Sequence, residues 1–420
     1  MNRRLWAILA CALLMLTALA PSALAAERVK VTLASFPDQP KAALEKAIAA
    51  ANLPFDVEII EYPQSEYESK IKMAFSSGTP TDIVLMDGPN VASYASSGAL
   101  EPLEGYWAAD DFADLVPSAQ GSMQWDGHIW AAPLNESNTI LYYNKPLFEQ
   151  LGIEVPTSVD DAWTFERLFE VCEQVVERDA AGNVTRYAIQ PQMFPISQKN
   201  EGMTYTEQLW VWMAGGNFIS EDGTTASGVF DSEESKRGVQ FFADLYQKGY
   251  AATEDIANAF ETGKVAMWVN GPWMLGVWKN QFPEVFDGGW GAMPLPRDVQ
   301  GASGSGSWNI AISAKSEHKQ EAWQTIQAIT GKQGHAIWCE ETGNLPARAS
   351  VLEGSPTYKE YPYNIINEQL QKTAKARPVT PHYPAISEAI MNCFADVAFG
   401  EDVDAAIANA VNQMNTALGG

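Results

Sequence analysis

Apolar and polar residues alternate from Val29 to Leu33, a second strand reads from Asp56 to Ile60, and a third from Asp82 to Met86. Alternation is the period of half-buried strands. Between these runs apolar residues recur at helical spacing, first through Leu44, Ala47 and Ile48 and then through Tyr67, Ile71 and Phe75. Strand, helix, strand in that order predicts βαβ units. Asp38 is placed to cap the first helix, and Gly78 with Pro80 ends the second. Ligands of open α/β sheets bind beyond the carboxyl ends of strands, which nominates Phe36, Asp38, Glu61, Met86 and Asp87.

The pattern breaks between Gly127 and Phe148. Pro133 cannot donate to a central ladder, so the chain should leave its sheet there. Asn135, Glu136, Ser137 and Asn138 then stand in a row ahead of the β-prone run Ile140 to Tyr143, which starts a second sheet. Polar side chains at a junction between two lobes are well placed to meet a ligand. Taken alone, such a tetrad equally describes a solvated loop.

Ser158 and Asp161 read as a capping box for the helix through Phe165, Leu168, Phe169 and Cys172. From Tyr205 to Met213 too many large side chains occur for one helix stripe, and Tyr205 and Trp212 are candidates to face a cleft. The run Val265 to Val269 breaks at Asn270-Gly271-Pro272 and leads into Trp273, so an indole stands at a strand's carboxyl end, as core or as a ligand platform. Gly301 to Trp308 is small and glycine-rich, a segment that can approach a ligand closely. It has neither the lysine of a P-loop nor the spacing of a dinucleotide fingerprint. Arg348 is a cation in a turn, either a surface charge or a clamp. The chain closes on an amphipathic helix from Val403 to Leu418.

Length changes this picture by requiring two lobes, since 420 residues exceed one compact core. Arg3 and Arg4, an apolar run from Leu5 to Leu19 and the Ala23-Leu24-Ala25 site predict a signal peptide over residues 1–25 and a periplasmic location. The net charge of -25 makes nucleic acid and anionic lipid poor partners. Cys172 reads as a buried thiol, whereas Cys339 and Cys393 could pair. Four scattered histidines do not have the spacing of a zinc site, and neither a metal nor another cofactor is expected. The 14 tryptophans exceed what cores of this size need. Indoles cover the C–H faces of sugar rings, so a carbohydrate ligand is expected.

Four motifs in order carry a resemblance: Ser77 to Asp82 with Gly98 and Leu103; Leu141 to Lys145 with Leu147-Phe148; Gly263 to Met267 with Asn270 to Trp273; and Ala376-Arg377-Pro378 with Pro381 and Tyr383. In these the chain resembles the family 1 extracellular solute-binding proteins of ABC importers, the group that includes maltose-binding protein. The resemblance implies a two-lobed α/β fold of the type II-like periplasmic-binding class with hinge crossovers near 133 to 140, 288 to 294 and 330. Residues 26–136 and 291–330 would form lobe 1, and residues 137–290 and 331–420 lobe 2. It implies no chemistry, a monomer, and transmembrane permease subunits as partners. It also implies ligand contacts from Phe36, Asp38, Glu61, Asp87, Asn135, Glu136, Tyr205 and Trp273, to which the reading of the residues adds Trp212, Trp308 and Arg348. The first-strand turn departs from the maltodextrin pattern. The expected ligand is therefore a sugar, oligosaccharide or polyol. The alternatives are a sugar phosphate or glycerol phosphate, and an extracytoplasmic glycosidase using Glu61, Asp87 or Glu136.

Overall fold

The computed structural model describes residues 28–37, 39–63, 66–306 and 308–419. Asp38 and the leader expected over 1–25 lie outside the described residues. Strand β1 (Lys30–Ser35), helix α1 (Lys41–Ala51), β2 (Asp56–Glu61), α2 (Tyr67–Ser77) and β3 (Ile83–Asp87) form the expected βαβ units, with β2 and β3 parallel to β1 on either side. All five residues of β3 are buried, because helices cover both faces of a parallel sheet. A hairpin of β4 (Gln124–Trp125) and β5 (His128–Ile129), turned at Asp126 and Gly127, precedes the short β6 (Ala132–Pro133). Proline is tolerated there because β6 is the edge strand.

The second sheet begins with β7 (Ile140–Asn144). Helix α3 (Phe165–Val175), β8 (Glu177–Arg178), β9 (Val184–Gln190), α4 (Glu201–Met213), α5 (Glu233–Gln247), β10 (Val265–Asn270), α6 (Trp273–Gln281) and β11 (Trp290–Met293) follow. The chain then passes through β12 (Ser303–Ser305) and returns to the first sheet as β13 (Trp308–Ile312). Helices α7 (Lys319–Thr330) and α8 (Lys332–Thr342) pack with α1. After β14 (Ala374–Ala376), α9 (Tyr383–Ala398) and α10 (Val403–Leu418) pack against α4 and α5. The two five-stranded sheets have the orders β2-β1-β3-β13-β6 and β11-β7-β10-β9-β8. This is the two-lobed α/β architecture expected from the sequence.

Several local expectations are corrected. Ser158 caps only the short turn Val159–Asp161, and Thr164 caps α3 by accepting from the Arg167 amide, because Ala162 leaves helical geometry. Burying Phe165, Leu168, Val171 and Val175 on the inner face of α3 stabilises the lobe by ~1.5–3 kcal/mol for each side chain. Strand β11 pairs antiparallel with β7, so residues 290–293 belong to the second sheet. Helix α8, beyond residue 330, still lies on the first lobe, against α1 and α7. Cys339 and Cys393 do not pair. Both are buried free thiols, and they belong to different hydrophobic clusters.

Candidate functional site

The polar tetrad fills the first crossover and is buried, with 2% exposure at Asn135 and none at Glu136 or Asn138. Isolated bridges hold it on both sides, Glu136 to Leu345 and Asn138 to Ser305. The Asn138 amide is used up in structure: Nδ2 donates to Ser303 Oγ at 3.0 Å and Oδ1 accepts from Gln369 at 3.2 Å. Its neighbours keep capacity. Among the described residues, Asn135 Oδ1 and Glu136 Oε1 have no hydrogen-bond partner. Burial pushes the Glu136 carboxyl up to about 7, opposed only in part by nearby Ser118 and by the Ser137 amide, which donates to Oε2. A buried carboxyl with a spare oxygen is a strong acceptor for a ligand hydroxyl.

Helix α4 supplies the facing wall. Tyr205 OH lies 2.9 Å from both Ser137 Oγ and the Gly304 carbonyl. Gly304 suits this contact, because a Cβ there would stand 3.1 Å from the Tyr205 ring, tighter than most such contacts. The glycine-rich segment thus admits the protein's own aromatic ring. Two residues on, Gly306 at φ +156° carries the carbonyl that accepts from Ser137 Oγ at 2.5 Å.

An ion-pair network crosses the junction beside this ring. Both terminal nitrogens of Arg377 donate to Asp87 at 2.6 Å, and Nη1 also reaches Glu201 at 2.6 Å. Asp87 ends β3 on the first lobe, whereas Glu201 opens α4 on the second. The Tyr383 and Ser387 hydroxyls donate to Glu201 as well. The guanidinium stacks on Tyr205 with its carbon 4.9 Å from the ring centre. Bidentate geometry of this kind is the strong form of a carboxylate pair.

The aromatics gather in two places. Phe36 is buried between Tyr67 and Trp308, with ring centroids 4.7 Å from each, and Trp308 stands opposite Asp87 in the sheet register. Trp273 is the first residue of α6, half-buried, with its ring 6.3 Å from that of Tyr205. The structure therefore brings Asp87, Asn135, Glu136, Tyr205, Trp273, Trp308 and Phe36 to the junction. Trp212 lies further along α4, 3% exposed. Glu61 is exposed at the end of β2, and Met86 is core.

Arg348 is corrected outright. It is 1% exposed, paired with Asp111 at 2.8 Å and Asp114 at 3.2 Å, and its Nε donates to the Thr330 carbonyl. A turn cation with two aspartates behind it in the fold is a structural tie, not a clamp. Arg348→Met is expected to cost about 2 kcal/mol in urea unfolding, because both carboxylates keep some contact with water. Ligand affinity should be unchanged, and a loss of affinity at constant stability would contradict the placement. Sequence reasoning missed Arg377 and Glu201. The Ala376-Arg377-Pro378 motif was a visible signal for the first; nothing local marked the second. Among the described residues, no cluster of three or more His, Cys, Asp or Glu is placed to hold a metal.

Two lobes, a polar crossover and aromatics at the junction define a solute-binding protein that captures its ligand between domains. Residues 43–364 match the model of the bacterial extracellular solute-binding protein family, and the chain belongs to that family. Among similar proteins, the maltotriose-binding protein of Pyrococcus abyssi is 25% identical over 79% of this chain and 68% of its own length. The sn-glycerol-3-phosphate-binding periplasmic protein UgpB of Yersinia enterocolitica is 25% identical over 71% and 69%. The GacH receptor of Streptomyces glaucescens, whose structures include a complex with acarbose, superposes with a TM-score of 0.79. It is 26% identical, over 93% of this chain and 98% of that one.

Proposed function

We propose that the chain binds a neutral carbohydrate at the lobe junction, outside the cytoplasm, and hands it to the membrane subunits of an ABC importer without chemical change. The observation that carries this reading is the pairing of a half-buried indole, Trp273, and the Tyr205 ring with a buried carboxyl, Glu136, that has an oxygen to spare. Aromatic faces cover a sugar's C–H surface, while the carboxyl and the Asn135 carbonyl accept from hydroxyls. The relatives named for maltotriose and acarbose support it. Closure of the two lobes over the solute would bury these bonds and present one shape to the permease. In this reading Asp87 does not act as a glycosidase carboxylate, because Arg377 holds both of its oxygens.

The relative named for glycerol 3-phosphate motivates the second reading. The charges speak against it. Arg348 is spent on aspartates away from the junction, and Arg377 is spent on Asp87 and Glu201, leaving one more carboxylate than cation even before Glu136 is counted.

A thermal-shift panel of neutral sugars, polyols and their phosphates, on the protein from Ala26 onward, tests the choice. A shift with neutral sugars and none with phosphates is expected; the reverse would overturn the reading. With a ligand in hand, Trp273→Ala should weaken binding by about 2 kcal/mol, roughly 30-fold, as removing an aromatic anchor does. Calorimetry showing an unchanged dissociation constant would remove Trp273 from the site.

A further inference from the structure

Three passages of chain join the lobes, and their polar groups meet at one buried amide. The first passage runs through Asn135 to Thr139 into β7, and the second from Met293 through β12 to β13. The third leaves α8 on the first lobe and reaches β14 and α9 through a helix over Tyr363–Lys372. Gln369 on this helix is 2% exposed. Its Nε2 donates to the Thr139 carbonyl at 2.7 Å and to Asn138 Oδ1 at 3.2 Å, and its Oε1 accepts from the Leu295 amide at 2.7 Å. Both protons of the side-chain amide are thus spent on the first passage, while its oxygen holds the second. Further bonds tie the same three segments. The Gly304 amide donates to Thr139 Oγ1 at 2.8 Å, and the Ser303 amide donates to the Thr373 carbonyl at 3.0 Å.

The tied block is anchored to one lobe. Glu368 accepts from Ser158 Oγ at 3.0 Å and from the Val159 amide at 3.2 Å, and Lys372 pairs with Asp160 at 2.9 Å, all three residues preceding α3 in the second lobe. The first passage is held differently a few residues earlier. There the Leu134 amide donates to the Trp308 carbonyl at 2.7 Å and the Glu136 amide to the Leu345 carbonyl at 2.8 Å, both partners packed in the first-lobe cluster. Pairing with the first lobe therefore ends at Glu136, and the tied block begins at Ser137. We infer that Gln369 is the positioning residue of the hinge, fixing the three passages as one unit that moves with the second lobe, a role that rests on the lobe closure read above. Bending is then confined to the first-lobe edge of the block, beside Asn135 and Glu136. A buried amide with its bonds made rigidifies what it touches, whereas an apolar side chain of similar length deprives the Leu295 amide and the Thr139 carbonyl of this partner.

The test is double electron–electron resonance on the ligand-free protein, with spin labels at Met73→Cys on the first lobe and Phe399→Cys on the second. Both positions are exposed, while Cys172, Cys339 and Cys393 are buried. A label pair within the second lobe, Leu151→Cys with Phe399→Cys, is the control. In Gln369→Met the interlobe distance distribution should broaden about twofold and the control pair should stay as in the wild type, since only the joint is loosened. Asn138→Ala removes one of the three bonds to the amide and should broaden the interlobe distribution less. Added to Gln369→Met it should broaden it no further, because the two side chains act in one network. If Gln369→Met does not fold, Asn138→Ala alone carries the test. An unchanged interlobe distribution in a folded variant, or equal broadening of both label pairs, would overturn the assignment and leave Gln369 a stabilising residue only. Because no ligand is present, silence in the thermal-shift panel would remove the carbohydrate reading without touching this result.

Discussion

Arg377→Met should lower stability by about 3–5 kcal/mol, the largest effect expected of a single substitution at the junction. The side chain is 5% exposed and neutralises two carboxylates, Asp87 from the first lobe and Glu201 from the second. Removing it leaves two like charges close together, with Asp87 the more deeply buried at 12% side-chain exposure, and breaking a buried pair from one side costs that much. The tie across the junction would go as well, since Asp87 and Glu201 would repel where they had been bridged. A urea midpoint well below wild type should accompany weaker binding of any ligand that needs the closed form. Arg377→Met combined with Asp87→Asn and Glu201→Gln tests the cause. If uncompensated charge is the reason, neutralising both acids restores most of the loss. An unchanged midpoint in the single variant, or no recovery in the combined one, would show that the network is not what holds the two lobes together.

Glu136 should make the protein less stable at alkaline pH than at acid pH. Burial raises its pKa from 4.5 to about 7 in the fold, so the folded state holds its proton more tightly than the unfolded state does. The sign follows from linkage: this contribution is complete below about pH 4.5, declines as pH rises, and is gone above about pH 7. At ~1.4 kcal/mol per unit the difference amounts to about 3 kcal/mol. Glu136→Gln cannot ionise, so it should gain stability over wild type at pH 8 and show little gain at pH 4.5. A hydroxyl donated to Glu136 favours the carboxylate, so wild-type binding should tighten from pH 6 to 8, with proton release in calorimetry. The variant should lose that pH dependence and bind more weakly. Equal stability gains at both pH values would show that Glu136 is not a buried acid of raised pKa. Binding with no pH dependence would remove it from the ligand contacts. The trade is of the kind expected where a site holds a costly group for the sake of its ligand.

The two halves of the site were not equally legible in the sequence. The row Asn135 to Asn138 could be singled out, because a polar run that follows a proline and precedes a β-prone segment marks where the chain leaves one sheet for the next. What the run does could not be read: Asn138 and Ser137 look the same as Asn135 and Glu136 on paper, yet the first pair is spent on Ser303, Gln369 and Gly306. Among the described residues, the second pair keeps oxygens without a hydrogen-bond partner. Arg348 shows the opposite error. An arginine in a glycine-proline turn carries no local mark of the aspartates that meet it from residues 111 and 114.

Periodicity, turn residues and the order of elements determined the two lobes, the polar crossover and the helices that flank them. These are local properties, carried by residues within a few positions of one another. Tertiary structure alone decided which charges meet, because Asp87 and Arg377 are brought together from positions 290 residues apart. It also decided that the ring of Tyr205 packs against Gly304. Those contacts depend on how one lobe lies against the other, and no pattern along the chain encodes that distance.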